Sequence, residues 1–264
     1  MYLGLAGDRV VPTEDNEDLE QVPDLITLQG LTLIHLKSLA LLVREAQCCS
    51  SSDESDSSLS SRGSSSIAEE EQEMKMIEKT VVELLNKMKS WINDTLGLPG
   101  STSLSANIIT IFNEQDDGLI EALLCLLDTY SGLQSGSYAA RVTTANSGLN
   151  SDDSNSNTCD DSMDFFHPLD GFEGFLQSID HDPSVILDFL LSNETCFLLY
   201  FLRILKYLNK SMISGKFPSD PTLQTLQKVK HSIKKLTDKS LFPYDINPVL
   251  RHLEKLDGTN SETQ

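Results

Sequence analysis

DPSVILDFLLSNETCFLLYFLRILKYL, residues 182–208, is a strongly apolar stretch of an otherwise polar, acidic chain, and its reading decides the fold. A membrane span needs about 20 consecutive apolar residues, whereas this run is cut by Asp188, by Ser192-Asn193-Glu194, and then by Arg203 and Lys206. On an insertion scale each mid-membrane Asp, Arg or Lys costs about 2.5–3.5 kcal/mol, and each Leu, Ile, Phe or Val returns about 0.3–0.6 kcal/mol. The charges cancel most of the gain. Burying about ten of these large side chains in a protein core is worth roughly 20 kcal/mol gross, before chain entropy is subtracted. A folded core is therefore favoured over a bilayer.

The polar break at Ser192-Asn193-Glu194 divides the run into two helices. Asp182 can cap the orphan amides of the first, with Pro183 at the first helical position, and Ser192-Asn193 is expected to close it and cap the second. In the second, Phe197, Tyr200, Phe201, Ile204, Leu205 and Leu208 recur at offsets of three and four. Arg203, Lys206 and Lys210 lie toward its C-terminal end, where the helix dipole favours cations.

Taken whole, the 264 residues are 39% hydrophobic and carry a formal charge of −20. Residues 50–66 (SSSDESDSSLSSRGSSS) and 132–163 are too poor in apolar side chains to offset the entropy of ordering, and read as disordered inserts. Residues 1–23 read as an acidic, flexible arm and 258–264 as a tail. That leaves an N-terminal helical part, 24–131, and a C-terminal one, 164–257.

The intervening segments share a helical period. Leu33, Leu36, Leu39, Ala40 and Val43 form a stripe over 24–46, weakened at its start by Gly30. Ile77, Val81, Leu84, Leu85, Met88, Trp91 and Ile92 form another over 67–96, stopped by Gly97-Leu98-Pro99-Gly100. Short helices are expected over 106–112 and 117–127, and a final pair over 221–236 and 248–256, the last capped by Asn247. The fold class is all-α, an irregular helical bundle or an armadillo-like α-solenoid, although no repeat period is visible.

Motifs that carry chemistry are sparse. Neither a phosphate-binding glycine loop nor a nucleophile elbow is present. His35, His167, His181, His231 and His252 are scattered and read as structural or surface residues, and no cofactor or metal is expected. The acidic knot Glu114, Asp116 and Asp117 lacks the calcium-loop pattern and reads as a solvated helix start. Five cysteines without a C-x-x-C pair, and no basic start before the short apolar MYLGLAGDR, point to free thiols in the cytoplasm or nucleus. Cys125 and Cys196 read as small core residues, and the sequons at Asn93, Asn193 and Asn209 as idle.

Two features bear on partners. Eleven of the twenty Lys and Arg lie after Leu202, against six of the forty Asp and Glu. Lys228, Lys234 and Lys235 on this basic quarter either form a solvated face, receive the chain's own acidic tracts, or meet an acidic partner or nucleic acid. No Arg-rich run or aromatic interleaving supports nucleic acid. Ser50 and Ser51 each have a carboxylate three residues on, the pattern an acid-directed kinase favours, set against an unmodified linker.

SIDHDPSVILDFLLSNETCFLLYFLRILKYL (178–208) and LQKVKHSIKKLTDKSLFPYDINPVLRHLEKL (226–256) resemble the two hallmark stretches of the Lines family, and EQDDGLIEALLCLLDTY (114–130) resembles the segment preceding the first. The resemblance implies an intracellular, helical, armadillo-like regulatory protein of developmental signalling, including the Wnt type. It implies no enzymatic activity and offers no catalytic residue to transfer. Members are usually much longer, so the chain looks like a C-terminal portion or a shortened form. In the second block Phe242, Pro243 and Tyr244 read either as a bend anchored on the core or as an exposed docking motif for a protein partner.

Overall fold

The computed structural model describes residues 24–50, 65–146, 161–192, 194–213 and 215–258. Among these there is no strand. The helices are α1 (Leu25–Ser50), α2 (Ser65–Leu96), α3 (Leu104–Ile111), α4 (Asp116–Asn146), α5 (Pro168–Ser178), α6 (Pro183–Leu191), α7 (Phe197–Ile213), α8 (Asp220–Thr237) and α9 (Asn247–Gly258), with a 3₁₀ turn at Asp161–Phe166. The expected arm at 1–23 and the tail beyond Gly258 lie outside the described residues, as do 51–64 and 147–160 of the two expected inserts.

The hairpin forms as its capping chemistry dictates. Asp182 Oδ1 accepts from the Ser184 amide at 2.8 Å and from its hydroxyl at 2.7 Å, which starts α6 and holds the Asp182 carboxyl below its usual range. The preceding turn places Asp180 and His181 in the left-handed region, with the His181 amide donating back to the Leu176 carbonyl at 2.8 Å. Asn193, expected as the cap of α7, lies outside the described residues. Among the described residues the Thr195 hydroxyl accepts from the Phe197 amide at 3.3 Å at the start of α7.

Helix α7 is the hub, packing against α4, α5, α6 and α9. Its six stripe residues, Phe197, Tyr200, Phe201, Ile204, Leu205 and Leu208, are all buried. Phe172, Phe175 and Phe189 close around Phe197 and Phe201, with ring centroids 5.1–6.4 Å apart. On the N-terminal side α1 packs chiefly on α4, and α2 leans on both; on the C-terminal side α6, α8 and α9 pack on one another or on α7. The buried side chains form one continuous core.

Several boundaries differ from the sequence reading. Helix α4 runs past Gly132, where the second insert was expected to begin, to Asn146; Leu133 is buried and Gly132 lies against Val43 of α1. Leu84 is not part of the buried stripe of α2, which is Val81, Leu85, Met88 and Ile92. Helix α8 stops at Thr237, one residue past the expected end at 236, and a left-handed Ser240 lets the Leu241 amide close on the Leu236 carbonyl at 3.1 Å. Asn247 lies inside α9, and the side chain of Asp245 accepts the Asn247 amide at 3.0 Å.

Buried polar groups are mostly matched. Asn107 Nδ2 donates to Asn93 Oδ1 at 2.8 Å between α3 and α2, and both residues are buried. His167 begins α5, its Nδ1 accepting from the Leu169 amide at 3.3 Å, so the proton sits on Nε2, 2.9 Å from the Tyr207 hydroxyl. Arg203 of α7 pairs with Asp128 of α4 at a half-buried position, tying the hub to the N-terminal helices.

Candidate functional site

The Leu241–Tyr244 turn crosses from α8 back toward α6. Phe242 and Tyr244 are half-buried, pack on the core and meet edge to face with centroids 6.0 Å apart. The Tyr244 hydroxyl donates to the Leu190 carbonyl at the end of α6. Of this turn only Leu241 and Pro243 are exposed. We expect Tyr244→Phe to cost about 1 kcal/mol, the net worth of one such hydrogen bond, read as a shift in denaturation midpoint at unchanged slope.

The lysines of α8 separate onto two flanks. Lys228 and Lys235 are exposed on the outer one. Lys234 faces α9 and pairs with Glu254 at 2.6 Å, which holds the Glu254 carboxyl below its usual range. Ser50 is the last residue of α1, and Ser51 lies outside the described residues.

A third face was not anticipated. Helix α1 buries Leu28, Leu36, Leu39 and Val43, yet its opposite side presents Ile26, Ile34 and Leu41, which are 76%, 63% and 50% exposed. Leu31 and Leu42 are also exposed. Most amphipathic surface helices turn charge to solvent, whereas this one is apolar nearly all round. It is the one described helix long and apolar enough to cross a membrane by length and composition, and a third of that window is buried. The sequence signal was present in Leu41-Leu42 and Ile34, which fall off the stripe used to assign the helix. Lys37, joined to Glu121 of α4 at 2.7 Å, and Arg44 and Glu45 rim the exposed side chains.

The reactive groups are subdued. Burial, reinforced by Glu121 and Asp128, pushes the Cys125 thiol up to about 12, and burial likewise raises Cys196. Cys48 is exposed. Asp116 and Asp117 occupy the first turn of α4, where the helix dipole favours carboxylates. Among the described residues no group of three or more His, Cys, Asp or Glu is placed to hold a metal. Asn93 is buried and Asn209 half-buried, with its amide donating to two backbone carbonyls, so neither sequon presents its nitrogen to solvent.

The family model described as Lines N-terminus matches residues 4–212, and the one described as Lines C-terminus matches residues 222–257. "Protein lines" of Drosophila melanogaster is 32% identical over 256 residues, covering 93% of this chain and 27% of its own length. "Protein Lines homolog 1" of Homo sapiens is 29% identical over 205 residues, covering 77% of this chain and 22% of its own. The Mus musculus protein of the same name is 30% identical over 205 residues, with the same coverage of 77% and 22%. The chain thus spans about a quarter of the length of the curated relatives it matches. No solved structure matches.

Proposed function

The chain belongs to the Lines family, and from that premise we propose that it is a non-enzymatic regulatory scaffold that holds a protein partner, in the cytoplasm or nucleus, in developmental signalling of the Wnt type. The observation that carries this reading is the apolar side of α1 that the other described residues leave exposed. Contiguous exposed apolar residues rimmed by charge are the usual mark of a protein contact surface. A helix of the partner, apolar on one side, fits this face, because ridges of Ile34 and Leu41 can seat between its own side chains as α4 seats on the other flank.

Two other occupants fit less well. Nucleic acid is drawn by cations and stacking aromatics, and the exposed part of α1 offers aliphatic side chains on a chain of charge −20. A bilayer would have to take α1 edgewise, since Leu28, Leu36, Leu39 and Val43 are committed to the core and Gln29 donates to the Ile111 carbonyl at 2.8 Å. Interfacial helices also carry more Lys and Arg than this one.

The test is proximity labelling of the full chain in cells, compared with Ile34→Asp/Leu41→Asp and with Lys228→Gln/Lys235→Gln. The α1 variant, altered only at exposed positions, should keep its helical circular dichroism and lose specific partners at least tenfold; the lysine variant should keep them. Partners unchanged by the α1 substitutions would remove the proposal, as would co-sedimentation of the wild type with liposomes that the same substitutions abolish.

A further inference from the structure

The groove between α7 and α9 concentrates positive charge in a chain that is otherwise strongly acidic. It is an open groove of about 560 Å³, lined by Lys206 of α7 and by Pro248, Arg251, His252, Glu254 and Lys255 of α9. Three cations face one carboxylate, and that carboxylate is engaged by Lys234 at 2.6 Å from the neighbouring helix. Among the described residues no acidic side chain pairs with Lys206, Arg251 or Lys255. Arg251 spends only its Nε, on the Asn247 carbonyl at 3.4 Å, so its two terminal amino groups have no partner among the described residues.

The walls of the groove are fixed. Asn209 Nδ2 donates to the Leu205 carbonyl of its own helix at 2.8 Å and across to the His252 carbonyl at 3.1 Å, locking the turn of α9 that carries the cations onto α7. His252 registers the local field. Its imidazole is held below its ordinary pKa by burial first, then by Lys206, Lys255 and Arg251, and its Nδ1 is buried with no hydrogen-bond partner.

We propose that the α7–α9 groove is a binding site for a phosphoserine-bearing acidic peptide, with Arg251, Lys206 and Lys255 holding the phosphate. The arginine fork matches two phosphate oxygens and the two ammonium groups supply point charges around the remaining one, as in other Arg-centred phosphopeptide sites. A phosphate fills only part of the volume, which leaves room for the residues beside it. A single dianion inside the groove feels these nearby cations far more than carboxylates beyond the roughly 8 Å screening length. A polyanion spread along the surface meets the net −20 as well, and no Phe, Tyr or Trp lines the groove to stack a base. The ligand chemistry has two sources: a partner's phosphoserine, or the chain's own Ser50 and Ser51 with their downstream carboxylates. This site is separate from the α1 face and does not depend on it.

The experiment uses the full chain and a fluorescent peptide of residues 47–56, QCCSSSDESD, either doubly phosphorylated at the serines matching Ser50 and Ser51 or unmodified. The phosphorylated form should bind at least tenfold more tightly, weaken with salt, and be displaced by inorganic phosphate at millimolar concentration. Lys206→Gln/Arg251→Gln/Lys255→Gln should erase the difference, while Lys228→Gln/Lys235→Gln leaves it within twofold. If the triple variant loses helicity, Lys255→Gln alone, at an exposed side chain, should cost at least threefold. Equal binding of the two peptides, equal loss with the α8 lysines, or a single-stranded oligonucleotide that binds as tightly would overturn the assignment. Treating the full chain with an acid-directed kinase distinguishes the sources. Weakened capture of the added peptide places the chain's own serines in the groove, and unchanged capture leaves it to a partner.

Discussion

Phe201→Ala is expected to lose about 3–5 kcal/mol of stability, the cost of deleting a fully buried ring and leaving its cavity. Phe201 is 0% exposed, lies stacked on Phe197 at 5.4 Å with the planes 16° apart, and meets Phe172 at 6.4 Å. It sits on the helix that four others pack against, so no single loop can collapse into the vacancy. Domains hold about 5–15 kcal/mol in total, so the variant should be substantially unfolded near 37 °C. Leu199→Ala, on the same helix but 45% exposed, supplies the control, with an expected loss under about 1 kcal/mol. Urea melts followed by helical circular dichroism measure both. Equal losses at the two positions would mean that α7 is not the hub.

The centre of the fold was legible because one face of α7 repeats at three and four residues and Asp182-Pro183 announces α6 without ambiguity. What was not legible lies where a boundary is set by backbone geometry. Ser240 has no special claim to a left-handed conformation, so the closure that follows α8 leaves no mark in the sequence, although the expected end at 236 lies within one residue of Thr237. Asp245 caps through a residue placed two positions before Asn247, and with two capping residue types so close the sequence does not say which one does it. Leu84 lies next to the buried flank of α2, but its outward lean depends on where α1 and α3 approach, which no local pattern encodes.

The candidate surfaces were less visible still. On α1 the period that defines the buried stripe also hides the exposed one, since Ile34 and Leu41 add to general apolarity without marking a side. The α7–α9 groove joins Lys206 to Arg251 and Lys255, which are far apart in sequence and become neighbours only because α9 packs on α7. The lysines are denser along the sequence of α8, where Lys234 is neutralised by Glu254. Phe242, Pro243 and Tyr244 drew attention as a motif, but the pleat of that turn sets both rings on the core and only the proline outward.

Two helical glycines, Gly132 and Gly30, should respond to substitution with opposite signs. An alanine in place of glycine gains about 1 kcal/mol of helix propensity wherever the space is open. At Gly30 nothing lies within 4 Å of the added carbon, so Gly30→Ala should stabilise by about that amount. At Gly132 the same carbon would stand 2.3 Å from Cγ1 of Val43, a buried β-branched residue whose rotamer is fixed in a helix and which therefore has nowhere to turn. Gln47 Nε2, donating to the Gly132 carbonyl at 2.8 Å, pins the two helices at this crossing and resists their sliding apart. Overpacking costs about 1–3 kcal/mol, which exceeds the propensity gain, so Gly132→Ala should lose stability on balance and Gly132→Leu should lose ~3 kcal/mol. The smaller clash at Gly174 is met by the far end of Ile109, which can swing away, and is expected to cost less. The decisive measurement is the double variant Val43→Ala/Gly132→Ala. Removing the obstructing methyls should recover part of the loss, giving a coupling of at least about 0.5 kcal/mol between the two positions. Simple additivity there, or a stabilising Gly132→Ala, would mean that α4 leaves α1 before Gly132, as the glycine- and serine-rich composition of that stretch suggests when read without its neighbours.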